Sequence, residues 1–364
     1  MASTSSSVLH TPLCDLLQIR HPIIQAPMAE FTTPELVARV SNAGGLGVLA
    51  VGRMMTDGVS AALAAIQERT QAPFGVNFLL APLEAGNRNL ATVQPFLDRF
   101  RHELQLPPGR TDLVLPQSQL MEQLEIVLDA GVPIVSFALG DPSRFVKQIH
   151  QAGAKVVAMV TTVAEAEAVA AGGVDVVVAQ GSEAGGHRST FELDQNGEAA
   201  MIGTLALVPQ VVDAVNVPVV AAGGIMDGRG IVAALALGAQ GVQLGTRFLL
   251  ARESGTTKSY RERLLAASDT DTLVTRVHSG RPARVLHNRF SDEFEREGPE
   301  PLAWPLQTLA AGDIYAAALS RDDADYFPLY AGQGVRLLKD MQGAVDVIEE
   351  LVAEAHVVLG QLAL

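Results

Sequence analysis

The chain repeats one pattern along most of its length, and this pattern restricts the folds that are open to it. A short apolar run rich in β-branched residues ends in a small or amide residue, and an alanine-rich segment of helical length follows it. Such alternation is typical of βα units in a parallel sheet. The eight runs are residues 23–28, 46–51, 74–79, 134–138, 155–160, 174–180, 217–222 and 241–246. They are continuously apolar, as in strands covered on both faces, and they predict an α/β fold, a (β/α)₈ TIM barrel.

Two segments depart from the alternation. Residues 81–115 contain four prolines after the third strand, and we expect a long excursion on the active-site side, where a lid is one option. Residues 252–330 contain Trp304 and five prolines, and they predict an inserted small α-rich substrate or lid domain after strand eight. Apolar residues at helical spacing between 335 and 358 predict the eighth barrel helix. The predicted organisation is a barrel over residues 1–251, the insertion over 252–330 and a C-terminal helix over 331–364.

The charge balance argues against several classes of partner. The chain has 26 Lys and Arg against 40 Asp and Glu, and its formal net charge of −14 repels nucleic-acid phosphates and anionic lipids. Its longest uncharged stretch, residues 230–246, is shorter than the roughly 20 apolar residues of a membrane span. The serine-rich N-terminus lacks the basic residues of a targeting signal. We expect a cytoplasmic protein that binds a small molecule and neither nucleic acid nor a membrane. A homodimer is one option for its oligomeric state.

The reactive residue types narrow the chemistry further. Cys14 is the only cysteine, so an intramolecular disulfide and a Cys-x-x-Cys site are excluded. No two of the eight histidines lie three to five residues apart, which argues against a metal site built from neighbouring ligands. None of the four lysines stands at the carboxyl end of a predicted strand, where a Schiff-base lysine would be needed.

The loops after the seventh and eighth strands have the composition of a phosphate site. In barrels of this kind the active site lies at the carboxyl ends of the strands, and phosphate is commonly bound by these two loops. The seventh strand is followed by Gly223 and Gly224, and the eighth contains Gln243, Gly245 and Thr246. Glycine lets backbone N–H groups approach an anion closely, although a tight turn would also explain the pair. The helix that begins near residue 227 is expected to add its positive end.

The sixth strand leads into the most unusual loop, Gln180 to Arg188, which contains Gly185, Gly186 and His187. A histidine in a glycine-rich loop has no apolar face to fill, and imidazole can move a proton near neutral pH. We therefore predict a catalytic or ligand-orienting role for His187, the alternative being a bond that merely closes the loop. Glu183 and Arg188 fit a solvated surface pair equally well.

The other strand ends carry neutral side chains, which suit a planar heterocycle better than a highly charged substrate. For Ser136 and Thr161 packing or turn formation is the simpler explanation. The residues concerned are Gln25, Met28, Asn77, Ser136, Phe137, Thr161 and Gln180.

Taken in order, these segments resemble the nitronate monooxygenase family, flavin-dependent (β/α)₈ barrels formerly called 2-nitropropane dioxygenases. The resemblance runs from residues 22–28 through 43–47, 75–77, 180–187, 221–225 and 243–248 to 330–334. It implies bound FMN and a catalytic His187 beside the flavin and the substrate. The positions that match the family's flavin contacts are Ala26, Pro27, Met28, Asn77, Gln180, Gly185, Gly186, Gly223, Gly224, Gln243, Gly245 and Thr246.

The resemblance also implies a reaction, in which an alkyl nitronate or a nitroalkane reacts with O₂ to give a carbonyl compound and nitrite. A related branch of flavin barrels shares the segments 183–187 and 245–248 and reduces quinones or enoyl thioesters with NAD(P)H. This alternative stays open at the level of the sequence. Ser189 and Thr190 follow Arg188 where the family often has a further glycine, so the exit of this loop is expected to differ.

Overall fold

The computed structural model describes residues 9–81, 86–112, 115 and 117–362. Eight parallel strands pair in the order β1-β9-β8-β6-β5-β4-β3-β2, and a bridge between Ile24 and Leu46 closes the sheet into a barrel. A separate antiparallel sheet has the order β10-β11-β7. The strands are β1 (Ile23–Gln25), β2 (Gly47–Ala50), β3 (Phe74–Leu79), β4 (Ile134–Ala138), β5 (Lys155–Val160), β6 (Val176–Gln180), β7 (Gly186–His187), β8 (Val219–Ala222), β9 (Gly241–Leu244), β10 (Thr272–Thr275) and β11 (Ala283–Leu286).

Helices follow most barrel strands, as the alternation predicted. Local capping begins several of them: Thr33 accepts a bond from Leu36 N–H before Pro34, and Thr162 forms a capping box with Glu165. The helices are α1 (Pro12–Leu17), α2 (Pro34–Asn42), α3 (Thr56–Gln67), α4 (Leu90–Glu103), α5 (Leu120–Asp129), α6 (Ser143–Gln151), α7 (Val163–Ala171), α8 (Thr204–Ala214), α9 (Gly228–Ala236), α10 (Thr246–Leu249), α11 (Lys258–Ala266), α12 (Arg289–Glu297), α13 (Leu306–Ser320) and α14 (Ala344–Leu362).

Side chains alternate across each barrel strand and build two apolar layers. Val176 and Val178 of β6 point into the barrel, whereas Val177 and Ala179 pack outward against the helices. Helix α1 supplies Leu13 and further apolar residues to the inner layer. Because α1 lies against the start of β9, where Thr11 Oγ1 donates to Gln240 O over 2.6 Å, it closes the amino-terminal end of the barrel. The carboxyl ends of the strands are therefore the end at which a ligand can enter.

The predicted single helix over 335–358 is wrong in its first part. Val335–Leu337 form one 3₁₀ turn, and the long helix begins only at α14, where Gly343 N–H donates to Asp346 Oδ2 over 3.1 Å. Leu337 is exposed, so its place in the apolar pattern is not a core position. Helix α14 contacts both α2 and α9 and fills the eighth helical place of the barrel.

A second apolar core joins the two segments that interrupt the alternation. Phe96 and Phe100 of α4 contact Phe294 and Phe290 of α12, each pair with ring centroids 4.9 Å apart. Arg101, almost fully buried, donates to Asp313 of α13 over 2.8 Å. Helix α4 is therefore packed onto residues 252–330. Residues 82–85 and 113–114 of the predicted excursion lie outside the described residues.

The insertion is less purely helical than expected. Besides α11, α12 and α13 it contains β10 and β11, which were missed because each strand has four residues and lies between irregular segments. Strand β11 also pairs with β7 of the barrel loop. The boundaries proposed for the three segments stay a prediction. Among the described residues, no helix is both long and apolar enough to cross a membrane.

Candidate active site

One deep cavity of about 330 Å³ opens at the carboxyl ends of the barrel strands, within the size range of small-molecule sites. The structure brings every residue predicted for catalysis or flavin binding to its wall. Residues from the loops after β1, β6, β8 and β9 meet there with the end of β3, as strand-end geometry requires. The predicted residues on the wall are Ala26, Pro27, Met28, Asn77, Gln180, Gly185, Gly186, His187, Gly223, Gly224, Gln243, Gly245 and Thr246.

The glycine loops form a cradle at one end of this cavity. Gly223 and Gly224 have φ values of +115° and +72°, a left-handed backbone that favours glycine. Gly245 directly precedes α10, the short extra helix that often accompanies phosphate sites in these barrels. The expectation for α9 was wrong: Asp227 and Glu354 carboxylates already accept its first N–H groups. The residues of α9 also lie outside the cavity wall.

Gln180 is held in one orientation by buried hydrogen bonds. Its Oε1 accepts from Arg188 Nη1 over 3.0 Å and from Ser189 N–H over 2.9 Å, while Nε2 donates to His187 O over 3.0 Å. One amide hydrogen is therefore left for a ligand. On β3, Asn77 offers a ligand a hydrogen-bond acceptor instead of a donor. Its Nδ2 donates to Ser136 Oγ over 2.7 Å, which leaves Oδ1 as the acceptor.

The surface pair suggested for Glu183 and Arg188 is wrong. Arg188 is fully buried and donates to backbone oxygens of Gln180, Gly181 and Ala200. Burial lowers the pKa of its guanidinium to about 10, so it remains charged at neutral pH. Glu183 accepts from Thr204 N–H and Oγ1 over 2.8 Å, at the start of α8. Arg188 thus organises the loop from inside the protein, whereas the half-buried Glu183 binds the start of α8.

His187 lies where the barrel loop meets the insertion. Gly186 and His187 form β7, which pairs with β11 and places His187 opposite Ala283. The imidazole Nε2 is 2.9 Å from Ser279 Oγ, and the ring contacts Trp304 and Tyr330 with centroid distances of 5.2 and 5.5 Å. Ser279, Trp304 and Tyr330 belong to the segment after strand eight. The insertion therefore contributes directly to the site.

The surroundings of His187 favour its neutral form. Burial, with a smaller contribution from the positive charges of Arg53 and Arg281, lowers the pKa of the imidazole to about 3. At neutral pH the ring is uncharged and retains a nitrogen lone pair. It can therefore accept a proton from a bound molecule without first having to lose one.

Thr161, also weighed from the sequence, is fully buried, and its hydroxyl lies 2.9 Å from Glu165 Oε2. It does not lie on the cavity wall, in keeping with the structural explanation given for it. Gln25 and Phe137 are likewise buried away from the wall.

Comparison with known proteins identifies the family. The model of the nitronate monooxygenase family matches residues 10–354. The chain belongs to the nitronate monooxygenase family. It is an oxidoreductase of that family. A Staphylococcus saprophyticus protein named "Probable nitronate monooxygenase" is 39% identical over 360 residues, which cover 97% of this chain and 99% of the relative.

Two solved structures extend the comparison. Nitroalkane oxidase from Streptomyces ansochromogenes is 38% identical, with a TM-score of 0.88 over 96% of this chain and 99% of that one. FabK from Thermotoga maritima is 32% identical, with a TM-score of 0.79 over 98% of this chain and 99% of that one. The nitronate monooxygenase family thus shares its barrel with FabK.

Sequence reasoning missed several wall residues of this nitronate monooxygenase family member. Arg53 follows β2, pairs with Glu30 over 3.6 Å and keeps 40% of its side chain exposed. Its place shortly after the end of β2 was a usable signal, because residues that follow the barrel strands lie at the active-site end. Tyr330 lies in the segment 330–334 that carries the family resemblance, but it was not singled out as a site residue. Trp304 on the wall and Ser279, which is not on the wall, gave no comparable signal, since their approach depends on how the insertion folds.

Proposed function

We propose that this protein oxidises alkyl nitronates, and nitroalkanes after deprotonation, with FMN and O₂ to a carbonyl compound and nitrite. The observation that carries the proposal is that His187, which burial keeps uncharged, and Arg53, the cation paired with Glu30, lie on one cavity wall. A nitronate is an anion, which a guanidinium attracts, and it forms when a nitroalkane loses a carbon-bound proton, which a neutral imidazole accepts.

The residues present fit FMN. The two glycine loops and the start of α10 provide one cradle of the kind that binds a phosphate, and FMN carries one phosphate. Gln180 Nε2 and Asn77 Oδ1 offer a donor and an acceptor to the mixed polar edge of an isoalloxazine. When bound, FMN would supply the electron acceptor that the protein side chains lack.

The chain's own groups would then bind, orient and deprotonate the substrate. Arg53 holds the negative charge of the nitro group near the wall, and its exposure leaves it accessible from the cavity mouth. His187 removes the carbon-bound proton when the substrate arrives as a neutral nitroalkane. Trp304 and Tyr330, which contact the imidazole, limit the space beside it and restrict how an alkyl group can lie.

The likeness to FabK favours a second candidate, an NAD(P)H-dependent flavin oxidoreductase that reduces a quinone or an enoyl thioester. Anaerobic reduction separates the two. Under the first proposal propionate 3-nitronate bleaches the flavin absorbance and NADH or NADPH does not, and in air nitrite appears with the carbonyl product. Bleaching by a nicotinamide alone would contradict the first proposal and favour the second.

A further inference from the structure

Arg188 is a fully buried cation whose donors all meet uncharged oxygen atoms. A guanidinium has five N–H groups. Here Nη1 donates to Gln180 Oε1 and Gly181 O over 3.0 and 2.6 Å, Nη2 donates to Gln180 O and Ala200 O over 3.0 Å each, and Nε donates to Ala200 O over 3.2 Å. The hydrogen bonds of Arg188 are therefore complete, but none of their acceptors supplies a negative charge.

Two carboxylates act on Arg188 only from beyond hydrogen-bond distance. Glu183 and Glu165 raise the pKa of the guanidinium, yet burial outweighs them and the pKa falls to about 10. Each carboxylate is bound elsewhere, Glu183 by Thr204 N–H over 2.8 Å and Glu165 by Phe191 N–H over 2.6 Å. A buried charge that lacks a close counter-ion is costly, and such groups cluster at functional sites.

A second buried guanidinium contacts the same loop. Arg284 of β11 donates to Ser182 O over 3.0 Å and to Thr272 Oγ1 over 3.1 Å, which are again uncharged acceptors. It lies close enough to Arg188 to lower the pKa of that residue by charge repulsion. Two positive charges are thus held together behind residues 180–182, and they favour a negative charge on the cavity side of Gln180.

Gln180 connects Arg188 to the cavity. Its Oε1 accepts from Arg188 Nη1, and its Nε2 keeps one hydrogen for a ligand after donating to His187 O. A cation bound to the amide oxygen polarises the amide and strengthens its remaining N–H as a donor. The charge of Arg188 therefore acts on the atom that Gln180 binds, although Arg188 itself does not lie on the wall.

We propose that Arg188 is a positioning residue that acts through Gln180 and raises the reduction potential of the bound flavin. The inference rests on the proposed function, because it takes FMN as the ligand. Two electrons and one proton reduce FMN to an anion whose charge lies on the polar edge of the ring, and a second proton makes it neutral. A cation behind that edge favours the anion, so that a nitronate meets a stronger electron acceptor.

The test is a redox titration of the FMN holoenzyme with dithionite, without substrate. Dithionite supplies the electrons and water the protons, and the absorbance spectrum reports the fraction reduced. In Arg188→Met, which removes the charge, the preference of the protein for reduced over oxidised FMN should fall at least about tenfold, a potential lower by about 30 mV for a two-electron couple. Arg188→Lys, which keeps the charge, should stay within about threefold of the parent.

Arg101→Met is the matched control. Arg101 is also almost fully buried, but it is paired with Asp98 and Asp313 and does not lie on the cavity wall. This variant should leave the potential unchanged. An unchanged potential in Arg188→Met overturns the proposal and makes Arg188 only a clamp for the carbonyl groups of its loop. Equal losses in Arg188→Met and Arg188→Lys overturn it too, since the charge would then not matter.

The unmodified holoenzyme gives a second reading that does not depend on the folding of a variant. Free reduced FMN takes up its second proton near neutral pH. In the holoenzyme the spectrum of the anion should persist at least about one pH unit lower, because a nearby cation lowers the pKa of an acid by about that much or more. Uptake of the second proton at the pH of the free cofactor overturns the proposal. No nitronate enters these measurements, so they decide the role of Arg188 even if nitronates and nitroalkanes are not oxidised and the proposed function fails.

Discussion

Gly224 offers a sharp test of where the cofactor's phosphate binds. Its φ of +72° is a conformation that Asn and Asp tolerate better than other side chains. A Cβ at this position would lie 3.4 Å from Glu183 Cβ, an ordinary contact, so a small side chain fits. Gly224→Asn and Gly224→Asp therefore impose nearly the same backbone strain and volume, and they differ by one negative charge.

The charge difference sets the expected magnitude. At an effective dielectric constant of about 20, two unit charges about 5 Å apart repel by about 3 kcal/mol. Since about 1.4 kcal/mol corresponds to a factor of ten, FMN should bind Gly224→Asp on the order of a hundredfold more weakly than Gly224→Asn. The difference should shrink as salt is added, because the site opens to solvent.

Fluorescence titration of the flavin-free protein measures both affinities, and riboflavin provides the internal control. Riboflavin has the same ring system without the phosphate, so the two variants should bind it equally. Equal affinity of the two variants for FMN would refute the reasoning and move the phosphate away from this loop. An equal loss for riboflavin would show that the Asp side chain acts by steric distortion.

Three more outcomes can be measured at the site and in the second core. In His187→Asn, kcat/KM for a neutral nitroalkane should fall by about 10²–10⁴, the usual contribution of a general base, and nitronate oxidation should fall much less; equal losses would argue for a positioning role. Arg53→Gln should raise the KM for a nitronate about tenfold while Arg53→Lys, which keeps the charge, should recover most of it, and an unchanged KM in Arg53→Gln would remove Arg53 from substrate binding. Burial lowers the pKa of His278, which stacks on Phe290, to about 3, so below pH 6.5 the unfolded chain binds a proton that the folded protein does not. Relative to His278→Phe, the parent should lose about 1.4 kcal/mol of unfolding free energy for each pH unit of acidification between about pH 6 and 4, measured by urea titration, and parallel pH profiles would contradict this.

The barrel was predictable because its signals are local. Runs such as residues 174–180 are apolar and end in punctuating residues, and the strands at 74–79, 134–138 and 155–160 begin and end where the sequence predicted. The stripe at 335–358 was misleading because an apolar residue such as Leu338 serves the second core and not the barrel helix. Periodicity reports which residues are apolar, but it does not tell which of two cores receives them.

The site residues were likewise predictable where their signal is local and unpredictable where their position depends on the folded chain. Wall residues that stand on barrel strands, such as Asn77 and Gln180, follow from the rule that strand ends converge. The burial of Arg188 could not be inferred, because it depends on carbonyl groups of Gln180, Gly181 and Ala200 that only the folded loop brings together. Ser279 lies 92 positions from His187 in the chain, and no spacing rule connects two residues across an antiparallel pairing of two strands.

The pairing of β7 with β11 has a consequence for exchanging parts between relatives. Only two residue pairs join these strands, His187 with Ala283 and Gly186 with Arg284. They nevertheless fix the position of the imidazole relative to the cavity. A chimera that takes its insertion from another family member would inherit a foreign β11 and misplace a histidine that it had not altered. Successful recombination should therefore transfer residues 181–190 together with 272–286, with crossover points in the surrounding barrel strands.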